Sequence, residues 1–156
     1  MPHGSSTVEL SRYFRISSRS HHGLLFVAEL ARQELRPHAS PVSIRSVART
    51  IGISEKYLEE LVGSLRQVGI VRGLRGRGGG YRLTKPAASI TVGEIVRALE
   101  GPVVLAACQD SSVRTECPHA AQCATKHFFG RLKRAIDGEL EGMTVGDLIA
   151  YASPSV

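Results

Sequence analysis

The chain has 156 residues, of which 42% are hydrophobic, and carries a formal net charge of +6 at pH 7. That length is enough for one compact domain with an appendage whose core needs no disulfides. Three cysteines, no secretory signal and no apolar run of membrane-span length predict a reducing, cytoplasmic setting, and they argue against a disulfide-stapled secreted domain or a membrane protein.

The positive charge is unevenly distributed along the chain. Through Arg97 there are 15 Lys or Arg and 7 Asp or Glu, whereas from Ala98 onward there are 5 and 7. The first two thirds therefore present a basic surface to a polyanion. Nucleic acid is the first partner to consider, and the alternative is a basic domain that is merely soluble.

Residues 1–14 are polar and aperiodic, and we predict a flexible leader there with no assigned function. Serines within residues 15–20 are suited to capping a first helix, which should end before Pro37. The apolar residues of this helix recur at roughly helical spacing: Leu24, Leu25, Val27, Ala28, Ala31 and Leu35.

Two shorter amphipathic helices follow. Ser43 should cap the second helix and Gly52 should end it, while Ser54 should cap the third helix and Gly69 should follow its end. The buried stripe of the second helix is predicted as Ile44, Val47, Ala48 and Ile51, and that of the third as Leu58, Leu61, Val62, Leu65 and Val68. Two such helices joined by a short turn containing glycine are typical of a helix-turn-helix.

The third helix is the predicted recognition helix, because in this motif its N-terminal residues reach base edges in the major groove. Lys56 can donate to a guanine or a phosphate, and Glu59 can accept from a cytosine amine. Ser54 and Tyr57 can bond phosphate oxygens. The alternative is that Glu59 and its neighbour Glu60 are simply solvated.

Two short strands are predicted next, at residues 70–74 and 81–83, joined by a basic, glycine-rich segment. A hairpin with such a tip is a wing, in which Arg75 and Arg77 would reach phosphates or an A·T-rich minor groove. Glycine-rich loops also bind nucleotide phosphates. This one lies between strands rather than before a helix and lacks the Gly-Lys-Ser/Thr ending, so nucleotide binding is disfavoured.

Two similar capping boxes bracket the last third of the chain, Thr91 with Glu94 and Thr144 with Asp147. Between them an apolar seam keeps heptad-like spacing over Phe129, Leu132, Ile136, Leu140 and Met143. Pairing of this seam with its copy would give a twofold homodimer that matches a pseudo-palindromic DNA operator. The alternative is that the seam packs on its own domain.

All three cysteines lie between residues 108 and 123. Eight residues separate Cys108 from Cys117, and five separate Cys117 from Cys123. These gaps are too wide for a zinc finger but suit thiolates that converge from a loop. The alternative is three unrelated thiols.

The sequence resembles the iron-sulfur cluster regulator (IscR) family of winged-helix repressors, which includes nitric-oxide-responsive and iron-responsive members. The resemblance spans residues 15–151 and is most specific in YLEELVGSLRQVGIV, residues 57–71, and RGRGGGYRL, residues 75–83. It implies a mainly α fold with a small β-hairpin: a winged helix-turn-helix domain (15–100), a cluster-binding cysteine loop (101–126), and a long dimerisation helix with a C-terminal helix (127–156).

The resemblance also implies a cofactor, an iron-sulfur cluster held by Cys108, Cys117 and Cys123, with 2Fe-2S favoured over 4Fe-4S. Soft thiolate ligands suit such clusters. IscR-like members have a histidine three residues after the third cysteine, where this chain has Lys126 followed by His127. Other members take a carboxylate from the start of the partner subunit's first helix, and His21 matches that position.

We therefore expect His21 or His127 as the fourth ligand, with His119, His22 or an external molecule as further alternatives. The resulting hypothesis is a cytoplasmic, dimeric transcription regulator whose operator affinity depends on a cluster that senses redox state, nitric oxide or iron. A zinc-switched or thiol-switched regulator on the same scaffold is the alternative. A small thiol redox enzyme using Cys117 and Cys123 is disfavoured, because the CxxC pair is missing.

Overall fold

A computed structural model describes residues 16–106, 109 and 121–152. In order, the elements are α1 (Ser18–Glu34), α2 (Ile44–Ile51), α3 (Glu55–Gln67), β1 (Val71–Leu74), β2 (Gly80–Leu83), a 3₁₀ turn (Ala87–Ser89), α4 (Val92–Glu100), α5 (Lys126–Gly142) and α6 (Val145–Tyr151). The predicted class, mainly α with a small hairpin, is confirmed. The predicted leader, Cys108, Cys117 and His119 lie outside the described residues.

Serine side chains cap the first three helices, as the sequence predicts. Each hydroxyl accepts a backbone N–H of the first turn at 3.1–3.2 Å: Ser17 from Arg19, Ser43 from Ser46 and Ser54 from Tyr57. Gly52 and Gly69 follow α2 and α3 with φ of +74° and +77°. This left-handed conformation suits glycine and ends a helix.

The core lies between α1, α3 and α4. Its largest fully buried side chains are Phe26, Leu30, Leu58, Leu61, Leu65, Ile90 and Ile95. Full burial of a side chain of this size contributes about 1.5–3 kcal/mol relative to leaving it in water. The apolar stripes of α1 and α3 therefore hold the N-terminal part of the fold together.

Two residues that the helical spacing placed on buried stripes are instead exposed. Leu35 is 76% exposed and Val68 is 57% exposed. Both occupy the C-cap position, where the chain leaves its helix. The prediction was wrong at these two positions because the helical period stops one residue earlier.

The hairpin is antiparallel, with Leu74 paired to Gly80 at its tip end. It is also tied to the segment before α2, because Val42 N–H donates to Tyr81 O at 3.0 Å and Tyr81 N–H donates to Val42 O at 2.8 Å. A Cβ at Gly80 would lie 2.6 Å from Val42 O, so only glycine fits. The wing therefore has a fixed position beside the helix-turn-helix.

Both predicted capping boxes are confirmed, and they lie side by side. Val92 N–H donates to Met143 O at 2.8 Å, and Val145 N–H donates to Ile90 O at 2.9 Å. These two bonds fasten the end of α5 and the start of α6 to the start of α4 and to Ile90, two residues before it. Among the helices of the described ranges, none has the length and apolarity needed to cross a membrane.

Candidate nucleic-acid interface and cysteine junction

The N-terminal end of α3 presents the predicted base-reading side chains to solvent. Lys56 and Glu59 are both exposed there, and so is Glu60. Ser54 Oγ accepts the Tyr57 N–H at 3.2 Å, which leaves its hydroxyl proton to donate outward. The geometry therefore allows the contacts that the sequence predicts for Ser54, Lys56 and Glu59.

Tyr57 has a second role that the sequence did not indicate. Its ring is half-buried against the core and meets the His22 ring edge-on, with centroids 5.7 Å apart. The packing sets where the phenol group lies at the start of the recognition helix. Any phosphate contact by Tyr57 therefore depends on α1 as well as α3.

The wing tip carries the two predicted arginines, and both Arg75 and Arg77 are exposed. The glycines that flank Arg77 have positive φ, +97° at Gly76 and +78° at Gly78, which lets the turn close tightly. A Cβ at Gly79 would clash with Leu74 O. The compact tip leaves the two guanidinium groups as its longest side chains.

Cys123 is the cysteine that the structure describes, and it lies three residues before α5 begins. Cys123 as a residue is half-buried, and its Sγ lies 3.3 Å from Thr125 Oγ1 at the surface. Hydrogen bonding to the Thr125 side chain, then to the Thr125 backbone N–H, lowers the pKa of Cys123, and the Lys126 charge adds to the effect. This environment favours the thiolate, which is the form that binds metals and reacts with oxidants.

The candidate fourth ligands lie at the starts of two different helices. His21 is exposed on the first turn of α1, and His127 is exposed on the first turn of α5. His127 lines a cleft of about 490 Å³ together with Ala124, which follows Cys123 in sequence. Within residues 16–106, 109 and 121–152, no three His, Cys, Asp or Glu side chains form a metal-binding group. A thiolate-prone sulfur and accessible imidazoles are nevertheless the donor types that iron-sulfur clusters accept.

Glu100, at the end of α4, holds the N-terminus of α1. Its Oε1 accepts the Ser17 N–H and the Ser20 N–H, each at 3.3 Å, the Ser20 hydroxyl at 2.9 Å and the Ser17 hydroxyl. Burial alone would raise the pKa of Glu100, but the hydrogen bonds from Ser17 and Ser20 outweigh burial and lower it. Sequence analysis missed this residue, since its partners lie 80 and 83 positions away.

The heptad-like seam of α5 divides into two halves. Leu140 is buried, and Ile136 and Met143 pack beside it in a cluster with α4. In the other half, Phe129 is half-buried and Leu132 is 38% exposed, and Phe128, which precedes the seam, is 61% exposed. The alternative hypothesis, packing on the same domain, is therefore confirmed for the C-terminal half of the seam.

A family model described as Rrf2, iron-dependent transcriptional regulator, matches residues 16–151. The chain belongs to the Rrf2 family. Among curated Rrf2-type relatives, the transcriptional regulator CymR of Bacillus subtilis is 36% identical over 137 residues, covering 88% of this chain and 91% of CymR. The transcriptional regulator IscR of Escherichia coli is 33% identical over 135 residues, covering 86% of this chain and 80% of IscR.

Solved structures of Rrf2-type regulators share the fold. The structure of CymR, titled the global cysteine regulator of B. subtilis, has a TM-score of 0.71 at 35% identity and covers 88% of this chain and 98% of CymR. The structure of T. potens IscR has a TM-score of 0.68 at 30% identity, covering 90% and 89%. These relatives are regulators rather than enzymes, which confirms that this Rrf2-family chain is a DNA-binding transcription regulator and not an enzyme. The domain boundaries and individual site residues stay predictions.

Proposed function

We propose that this Rrf2-family protein is a cytoplasmic, homodimeric repressor whose affinity for a pseudo-palindromic operator is controlled by an iron-sulfur cluster. Cys108, Cys117 and Cys123 would hold the cluster, with 2Fe-2S favoured over 4Fe-4S. The observation that carries the proposal is the Cys123 thiol, whose pKa is lowered just before the helix α5 that would join two subunits. Redox state, nitric oxide or iron supply is the proposed signal.

The DNA side of the proposal rests on two exposed groups of side chains. Ser54, Lys56 and Glu59 lie at the start of α3, and Arg75 and Arg77 lie at the wing tip. The Val42 bridge holds the wing in place relative to the helix-turn-helix. One subunit would thus read one half-site through the major groove while the wing grips the adjacent backbone.

The homodimer is supported by the partly exposed half of the α5 seam. Phe128 and Leu132 leave apolar surface in water that a second copy of the helix would cover. The buried half of the seam and Glu141 tie the same helix to α4. A change at the N-terminal end of α5 would therefore alter how the two DNA-binding halves are spaced, and operator half-sites tolerate little misplacement.

For the fourth ligand we favour His21 of the partner subunit over His127. His21 is exposed on a turn that Glu100 holds in place, so an imidazole is presented on a rigid support. The cluster, when bound, would supply a centre whose charge and integrity change with oxidants or nitric oxide. The chain's own contribution is to hold the thiolates and the imidazole and to link them to α1 and α5.

A zinc-switched or thiol-switched regulator is the second candidate, and one finding favours it. A relative of similar fold is titled the global cysteine regulator, and a related Staphylococcus aureus CymR structure, with a TM-score of 0.66, is titled the oxidized form. A lowered Cys123 pKa suits thiol oxidation as well as cluster binding. In this case no iron or labile sulfide would be present.

Anaerobic purification of the full chain separates the two candidates. Iron and acid-labile sulfide at about two each per subunit, with a brown colour and a matching Mössbauer spectrum, would support a 2Fe-2S cluster. A colourless protein with about one zinc per subunit would support the zinc switch. Iron-free and zinc-free protein that loses operator binding only on oxidation would support the thiol switch.

A second experiment measures DNA binding, with an operator selected from a random duplex library by the purified protein. The affinity for this operator is compared between the wild type and a triple variant that combines Cys108→Ser, Cys117→Ser and Cys123→Ser. A change in affinity with cluster loading that the triple variant lacks supports the proposal. If the triple variant behaves like the wild type under all conditions, the protein binds DNA without a cysteine-based sensor.

A further inference from the structure

The first turn of α1 contacts two regions that a sensing mechanism has to connect. On one side, Ser17 and Ser20 donate to the Glu100 carboxylate, at the point where α4 ends and the chain runs on toward the cysteines. On the other side, the His22 ring meets the ring of Tyr57 on the recognition helix, at a centroid distance of 5.7 Å. One helical turn therefore lies between the two regions.

His21 and His22 place a second ring contact on the same turn. Their centroids are 5.6 Å apart with the rings tilted by 50°. Three rings thus follow one another, from exposed His21 through half-buried His22 to half-buried Tyr57. The chain of contacts begins at a candidate ligand and ends at a predicted DNA-contacting residue.

We propose that His22 is a positioning residue that transmits the orientation of the His21 ring to Tyr57 at the start of the recognition helix, while Glu100 keeps the turn from moving as a whole. The inference rests on the proposed function, because it takes His21 as the ligand end of the contact. It assigns to His22 a role in coupling and no role as a ligand.

The His22 ring lacks one of the polar anchors that an imidazole can have. Its Nδ1 is buried and has no hydrogen-bond partner among the described residues. A hydrogen bond at that atom would help to fix the imidazole independently of His21 and Tyr57. Contact with the His21 and Tyr57 rings therefore contributes more to the orientation of the His22 ring.

The rest of the surroundings allows little motion other than rotation of these rings. Phe26, Val27 and Leu30 of α1 are fully or almost fully buried, and a Cβ at Gly23 would clash with Leu99. Close-packed interiors of this kind pass displacement on rather than absorb it. Within the part of the chain that the structure describes, the His22 ring lies between the His21 ring and the recognition helix, so a movement of the His21 ring can reach α3 through it.

The first test needs no cluster and uses the full chain. The aromatic NMR resonances of Tyr57 are assigned with the help of Tyr57→Phe, which is practical because the chain has four tyrosines. We expect His21→Ala to shift the Tyr57 resonances in the wild type and in His22→Phe, which keeps a ring at position 22. In His22→Ala the shift should disappear, with thermal unfolding checked to show that the variant is folded.

The second test measures coupling in the loaded protein. The ratio of operator affinities with and without the cluster should fall at least about fivefold in His22→Ala and be retained in His22→Phe. Retention of the full ratio in His22→Ala, or a Tyr57 shift that persists in that variant, would overturn the inference. A different outcome is that the protein holds no cluster but the Tyr57 shift still depends on a ring at position 22. This outcome would contradict the proposed function, while the ring contact would remain a coupling route for another ligand.

Discussion

The carboxylate of Glu141 lies directly over Gly93, so that a Cβ on Gly93 would be 2.5 Å from Glu141 Oε1. The same carboxylate accepts the Thr91 hydroxyl at 3.1 Å and pairs with Arg97. Hydrogen bonding from Arg97 outweighs burial and lowers the pKa of Glu141. The last turn of α5 is therefore fastened to the first turns of α4 through one side chain that lies over a glycine.

Gly93→Ala should change the free energy of unfolding by less than about 1 kcal/mol, because the added methyl meets only the ends of the Glu141 and Arg97 side chains, which are partly exposed and can move aside. Loss of this surface ion pair, worth about 0–1 kcal/mol, is opposed by a gain of about 0.5–1 kcal/mol from replacing a helical glycine. Urea denaturation measures the net change. In a Glu141→Ala background no ion pair is left to lose, so Gly93→Ala should stabilise the protein, and a loss of stability there would show that the methyl clashes with the backbone of α4.

Replacing Arg75 and Arg77 with Ala should weaken DNA binding and flatten its salt dependence by about one unit of slope per lost phosphate contact. The measurement is operator affinity at several salt concentrations by fluorescence anisotropy. Arg131 and Arg134 on α5 provide a control in which the same charge is removed outside the wing. An equal loss of slope in the control pair would mean that net charge, and not wing contact, sets the salt dependence.

His21→Ala should make the cluster labile, whereas His127→Ala should leave it stable, if His21 of the partner subunit is the fourth ligand. Ligand loss is commonly reflected in a large drop in metal retention and in a changed absorbance spectrum. The decay of cluster absorbance in air, followed for both variants and the wild type, provides the comparison. The reverse order of stability would move the assignment to His127, in the cleft beside Ala124.

Acid stability should depend on Glu100, because hydrogen bonds hold its pKa below the ordinary value in the folded chain. The unfolded chain then binds the proton more tightly than the folded one. Stability from this group is present above the unfolded pKa of about 4.3 and is lost as the pH falls through the lower folded pKa. The midpoint of urea unfolding, measured from pH 7 downward, follows this loss.

Glu100→Gln should lower the midpoint of urea unfolding at neutral pH. It should also make the midpoint fall less steeply as the pH decreases. Some acid sensitivity should remain, because hydrogen bonds from Thr144 also lower the pKa of Asp147. Combining Ser17→Ala with Ser20→Ala removes the two hydroxyl donors and keeps the two backbone N–H donors, so the pH dependence of this variant should lie between those of the wild type and Glu100→Gln. If the midpoint falls as steeply with decreasing pH in both variants as in the wild type, Glu100 does not contribute to acid stability.

The local features of the chain follow from short stretches of sequence. The serine caps, the two capping boxes and the turn glycines Gly52 and Gly69 are all where the sequence predicts them. The helix-turn-helix and its wing follow from apolar spacing and from the glycine-rich segment between two strands. Such features depend on contacts within about one or two helical turns, so they are encoded in neighbouring residues.

Only the tertiary structure decided which distant residues meet. Ser17 and Glu100, Val42 and Tyr81, and His22 and Tyr57 are separated by tens of residues, and no local spacing links them. The α5 seam is one continuous pattern in sequence, yet half of it packs on α4 and the other half is partly exposed. The reason is that periodicity specifies an apolar face, whereas the partner of that face depends on how the close-packed elements fit together.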